Sequence, residues 1–110
     1  MANPEKITVE GVEVDTRHWI GGERVASADG ATFTTVSPID ESVIGEVSAA
    51  GEAEVDAAVA AARKAFPAWS KTSPAERAAV LRKVAEGIEA RVEELGKVET
   101  RDNGALLRSH

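Results

Sequence analysis

At 110 residues the chain is the size of one small domain, far short of the several hundred residues that a two-substrate redox enzyme normally occupies. A formal net charge of -6 and a pI near 4.9 argue against nucleic acid or an anionic membrane as partner, since both need clustered Lys and Arg. The absence of cysteine excludes disulfides, thiolate metal sites and a thiol nucleophile within these residues. Hydrophobic residues make up 43% but lean on alanine, and aromatics reach only 4%, so a thin core and weak stability in isolation are expected. The start, Met1 to Lys6, lacks the basic residues and apolar run of a secretion signal, which makes a cytoplasmic location the default expectation.

Ile7 to Val14 alternates around Gly11 and reads either as a strand pair or as an irregular extension. His18-Trp19-Ile20, Gly21-Gly22 and Glu23-Arg24-Val25 predict a β-hairpin, because two glycines supply the positive φ of a tight turn. Asp29-Gly30 marks the next turn. Thr32 to Val36, rich in β-branched side chains, predicts a strand ended by Pro38, and Val43 to Val47 a further one.

From Glu52 the period changes to that of a helix. Val55, Val59, Ala62 and Phe66 share a face, Glu52, Glu54 and Asp56 crowd the start, and Arg63 and Lys64 sit near an end set by Pro67. Ser73-Pro74-Ala75-Glu76 has the form of a capping box and opens a second helix. Its apolar face is Leu81, Val84, Ile88, Val92 and Leu95, with Arg77, Lys83, Glu86, Glu89 and Glu93 left to solvent. Glycine costs about 1 kcal/mol in a helix interior, so this run either continues or divides near Gly96. Gly104 suits a left-handed terminating position, after which Ala105 to His110 resumes an apolar pattern without a stop, and a continuing natural chain is expected. The segment alone is therefore α+β: short antiparallel strands followed by two or three helices.

No recognisable chemistry stands out. The glycines have no G-x-G-x-x-G spacing, no serine lies in a G-x-S-x-G elbow, and His18 and His110 lack partners at metal-ligand spacing. Glu52, Glu54 and Asp56 are better read as acids favoured at a helix start than as paired catalytic carboxylates. Trp69 is better read as a plug between helices than as a stacking platform.

Six ordered pieces carry a resemblance. They are His18-Trp19-Ile20-Gly21-Gly22-Glu23, Phe33-Thr34-Thr35-Val36-Ser37-Pro38, Val43-Ile44-Gly45-Glu46-Val47, the run Glu54 to Phe66, Trp69 with Ser73-Pro74-Ala75-Glu76-Arg77, and Glu99-Thr100-Arg101-Asp102-Asn103-Gly104. In this order they resemble the opening of the NAD(P)-dependent aldehyde dehydrogenase superfamily across residues 18 to 104. Asp40-Glu41-Ser42 replaces the commoner T-G-E turn, Ala105-Leu106 stands where Lys-Pro is frequent, and residues 1 to 17 match no family pattern. The Trp19 strand and Ser37-Pro38-Ile39-Asp40 look like the semialdehyde dehydrogenases of aromatic-ring degradation.

The resemblance implies a much longer enzyme with a Rossmann-like α/β fold, dimeric or tetrameric, acting on a small-molecule aldehyde with NAD or NADP. Residues 1–17 would be a variable extension and 18–110 the front of the NAD(P)-binding domain. In that family a cysteine attacks the aldehyde, hydride passes to the nicotinamide and a glutamate activates water. None of those groups falls within this segment, so no catalytic or cofactor-binding residue is assigned and the piece is expected to be inactive by itself. The resemblance does imply a Na⁺ or K⁺ site at Thr35, Val36 and Asp102, whose oxygens suit a hard cation; Asp102 as a simple turn cap is the equal alternative. A free-standing interaction or oligomerisation module is the rival for the whole chain.

Overall fold

Glu10 and Gly11 take φ values of 49° and 78°, the doubly left-handed turn that suits a two-residue hairpin. In the computed structural model, which describes residues 5–106, they join strands Lys6–Val9 (β1) and Val12–Asp15 (β2). Ile7 lies opposite Val14 and Val9 opposite Val12, so the strand-pair reading of this stretch holds. Gly21 and Gly22, at 61° and 81°, make the same kind of turn between His18–Ile20 (β3) and Glu23–Val25 (β4). Thr32–Val36 (β5) pairs antiparallel with Val43–Ser48 (β6). There Thr35 faces Gly45 but Val36 faces Val43, so Ile44 is an extra residue and the ladder bulges. Residues 1–4 and 107–110, and with them the start of the chain, His110 and most of the terminal apolar run, lie outside the described residues.

Three helices follow: Glu52–Ser70 (α1), Pro74–Ala90 (α2) and Val92–Asn103 (α3). Pro67 does not end α1, which runs one turn further. A proline this close to the end forfeits a single bond to the carbonyl of Arg63, and the terminal carbonyls have other donors. Ser70 Oγ donates to Pro67 O at 3.0 Å, Thr72 Oγ1 to Trp69 O at 2.7 Å, and Arg77 reaches Ser70 O at 3.1 Å. Arg77 is thus engaged rather than left to solvent. It also lies 5.8 Å from the Trp69 ring centroid, a cation–π contact that ties α1 to the start of α2. Because α1 is longer than expected, Arg63 and Lys64 fall before its last turn, which carries no basic residue.

Ser73 caps α2 as its sequence implies: Ser73 Oγ accepts from Glu76 N–H and the Glu76 carboxylate accepts from Ser73 N–H, both at 3.1 Å. The break in the long run comes at Arg91, not at Gly96. Arg91 leaves helical geometry at φ −123°, ψ 22° and grips Glu94 through Nε at 2.9 Å, while Gly96 is buried inside α3. Gly104, at φ 78°, ends α3 with its N–H on Thr100 O.

Little of this is core. Val9, 5% exposed, is the one buried apolar side chain among the described residues, while Leu81, Phe66 and Val55 are 66%, 65% and 54% exposed. The surface of 8214 Å² compares with about 5,800 Å² for a compact monomer of this mass, and the radius of gyration of 16.8 Å with about 13 Å. The chain is a slab of 48 × 38 × 20 Å whose helices leave their apolar side chains to solvent. No described helix is long and apolar enough to cross a membrane.

Candidate functional site

The β5–β6 pair, the β1–β2 hairpin and α3 line an open cavity of about 540 Å³. Ile7, Val9 and Val14 form the hairpin wall, Ile44 and Val47 the sheet wall, and Leu95 and Val98 the helix wall. Its polar edge consists of Thr35, Glu99 and Asp102. Two of the three residues singled out from sequence therefore meet here. Val36 does not line the cavity; it follows the bulge at the end of β5 and is 48% exposed.

A tied loop follows β5 and packs against the end of α3. Ser37 is fully buried, accepts from Ile39 N–H at 3.2 Å through Oγ, donates its own N–H to Ser42 O, and accepts from Glu41 N–H at its carbonyl. Asp40 accepts from Ser42 Oγ at 2.6 Å and from Ser42 N–H at 3.0 Å. These bonds, chiefly the hydroxyl's, hold its carboxyl below the usual range, with Arg101 adding attraction from 3.9 Å. The loop presses on the end of α3, where a Cβ on Gly104 would come within 3.1 Å of Pro38 Cγ. Asn103, not Asp102, makes the side-chain bond of that turn, accepting from Ala105 N–H at 2.8 Å. The turn-cap role offered to Asp102 belongs to its neighbour.

The starts of α1 and α2 are occupied by the chain's own carboxylates. Glu54 Oε1 accepts from Gly51 N–H at 2.8 Å and its Oε2 from Ala28 N–H at 3.1 Å, so the first turn of α1 already holds a buried carboxylate. Those two bonds, the one to Gly51 first, keep the Glu54 carboxyl below its ordinary value. Glu76 fills the start of α2 in the same way.

His18 is also occupied. Ser27 Oγ donates to Ala49 O, so it can only accept from His18 Nε2, 2.9 Å away, and this fixes the proton on Nε2. The arrangement staples β3 to the loop before α1 and offers no nucleophile. No group of three His, Cys, Asp or Glu capable of holding a metal occurs among the described residues. Sequence reasoning missed the Glu54 pin and the buried Ser37. For Glu54 a signal existed, since Gly51-x-x-Glu54 has the spacing of a capping box with glycine at the first position.

Comparison with known proteins agrees with this picture. The profile of the aldehyde dehydrogenase family matches residues 25–110. The 2-hydroxymuconic semialdehyde dehydrogenase of Pseudomonas sp. strain CF600 is 48% identical over 99 residues, covering 87% of this chain and 20% of the relative. Its namesake from Pseudomonas putida is 54% identical over 78 residues, covering 70% of this chain and 16% of the relative. The crystal structure of PnpE in complex with nicotinamide adenine dinucleotide superposes with a TM-score of 0.82 at 44% identity, over 86% of this chain and 19% of PnpE. The chain thus spans about a fifth of the length of these relatives. Its strand pairs and helices reproduce a segment of their fold, and the chain belongs to the aldehyde dehydrogenase family.

Proposed function

We propose that the chain is the opening part of an enzyme that oxidises an aldehyde or semialdehyde to the carboxylic acid with NAD or NADP, and that it performs no chemistry by itself. The observation that carries this reading is the exposure of the helices' apolar residues: Val59, Leu81, Val84 and Ile88 are each about half in water or more, as surfaces meant for a further body would be. Similarity to two 2-hydroxymuconic semialdehyde dehydrogenases favours a semialdehyde of that class as substrate. The assembled enzyme would be a cytoplasmic homodimer or homotetramer. Reading the gene beyond codon 110 tests the proposal. A continuing frame that encodes a cysteine nucleophile and a glycine-rich cofactor segment is expected. A stop codon directly after His110 would instead favour the interaction module, for which the same exposed helix faces would be the docking surface.

Within that enzyme, Thr35, Val36 and Asp102 would hold Na⁺ or K⁺. Support comes from the shared cavity of Thr35 and Asp102 and from the release of Asp102 from the turn-cap role by Asn103. Threonine and aspartate offer the hard oxygen donors such a cation takes, while Val36 could contribute only its backbone carbonyl. A full-length structure grown in K⁺ with no cation density near Asp102 would remove this assignment.

A further inference from the structure

The cavity that brings Thr35 and Asp102 together has a wall from outside the region matched by the family profile, which begins at residue 25. That wall is the β1–β2 hairpin, and it is keyed into β6. A Cβ built on Gly45 would lie 2.7 Å from Ile7 Cδ1 and 3.1 Å from its Cγ2, so the Ile7 side chain fills the space that any other residue at 45 would claim. Real Cβ atoms do not approach that closely, hence glycine here is a notch for Ile7 rather than a turn residue. The hairpin is fastened at its base, where Ser48 donates its N–H to Thr16 O at 3.0 Å. It is closed at that end by Thr16, whose N–H and Oγ1 both donate to Glu5 O. At the other end Glu10 shares a small cavity with Lys97 and Thr100 of α3, so the hairpin spans from the sheet to the helix.

We propose that this hairpin is a latch, docked through Ile7 in the Gly45 notch, that walls one side of the cavity and sets the affinity of the candidate cation site. The inference rests on the Thr35–Asp102 reading. The physical ground is that oxygen donors attract a cation more strongly the less water reaches them, and the hairpin shields one side of the cavity with Ile7, Val9 and Val14. Docking and cation binding are then linked, and each strengthens the other by the same factor.

The test uses the full-length polypeptide that carries residues 1–110. Gly45→Val should expel Ile7, raise amide exchange in Thr8 and Val9, and weaken K⁺ binding by about tenfold, as read by titration at constant ionic strength with a bulky organic cation as balance. Ile7→Ala should weaken K⁺ binding to a lesser degree. The pair Ile7→Ala with Gly45→Val, which moves volume from one side of the contact to the other, should recover most of the affinity; a merely misfolded Gly45→Val protein would not be rescued this way. Equal K⁺ affinity in the wild type and in Gly45→Val with its hairpin released would overturn the latch and leave the cation site standing. No K⁺ or Na⁺ binding in the wild type would overturn the cation reading and the latch with it, whatever the exchange data show.

Discussion

The strand half and the helix half of this chain meet the demands of folding in opposite ways. From Glu5 to Gly51, buried polar groups are answered inside the chain: Thr16 by Glu5, Ser27 by His18 and Ala49, Ser37 by Ile39, and Glu54 reaches back from α1 to Ala28 and Gly51. From Val55 onward the helices satisfy their backbones and caps, yet their apolar stripes stay in water. Among the described residues the one buried side-chain polar atom without a partner, Thr100 Oγ1, lies in that helix half. Hydrogen bonds give a strand layer its geometry, but helices draw most of their stability from packing an apolar face. The strand half leaves Trp19, Phe33, Ile39 and Val43 exposed as well, so the contrast lies in how polar groups are answered and not in apolar cover.

The strongest way to test the helix side of this comparison is to make the helix stripe polar. The triple change Leu81→Ser, Val84→Ser, Ile88→Ser should leave the strand half of the isolated 110-residue chain intact and reduce its aggregation, because those side chains already face water. The unaltered isolated chain should bind hydrophobic dyes and melt broadly rather than cooperatively. In the full-length enzyme the same triple change should cost about 2–5 kcal/mol for each Leu or Ile buried there, read by chemical denaturation. Equal damage in both settings would mean that the stripe has no missing partner.

The next effect lies where the halves touch. Gly104→Ala should cost about 1–2 kcal/mol for the left-handed backbone, and its methyl would crowd Pro38 besides. Faster amide exchange at Ile39 and Glu41 would report the loosening of the tied loop. Ser73→Ala should cost about 1 kcal/mol through loss of the α2 cap, and the fraying should be confined to Glu76 and Arg77. If exchange spread into β5, the separation between the halves would be wrong.

How much of this was legible follows from the range of the forces concerned. The Gly21-Gly22 hairpin, the Thr32–Val36 strand, the Ser73 cap and the Gly104 terminus rest on bonds within a few residues, and each is written in its own stretch of sequence. Pro67 misled because a proline one turn from a helix end loses little when Thr72 and Arg77, beyond that end, supply other donors. Gly96 misled because glycine weakens a helix interior without always breaking it, and its burial inside α3 has no local signature. The meeting of Thr35 with Asp102 came through family likeness, since residues so far apart in sequence leave no local pattern. The Ile7–Gly45 notch left none either, because nothing in Val-Ile-Gly-Glu-Val says which side chain will fill the gap.

Glu54 offers the mildest and most local test, since it joins the halves through charge. Its folded carboxyl titrates below the ordinary glutamate range because Gly51 N–H and Ala28 N–H favour the ionised form. The stability it contributes is therefore fully present above the unfolded value and is lost as pH falls through the lower, folded value. Acid should release the 27–28 loop from α1 before it disturbs the β5–β6 pair, and the amide resonances of Ala28 and Gly51 should move together with one midpoint below that of a free glutamate. In Glu54→Gln this shared titration should vanish. The neutral amide has one acceptor oxygen for two N–H donors, so one of the two contacts should stay loosened at neutral pH. Should the two amides titrate separately in the unaltered chain, Glu54 would be only a helix cap, and the strand half would hold α1 in place through its packing on β3 instead.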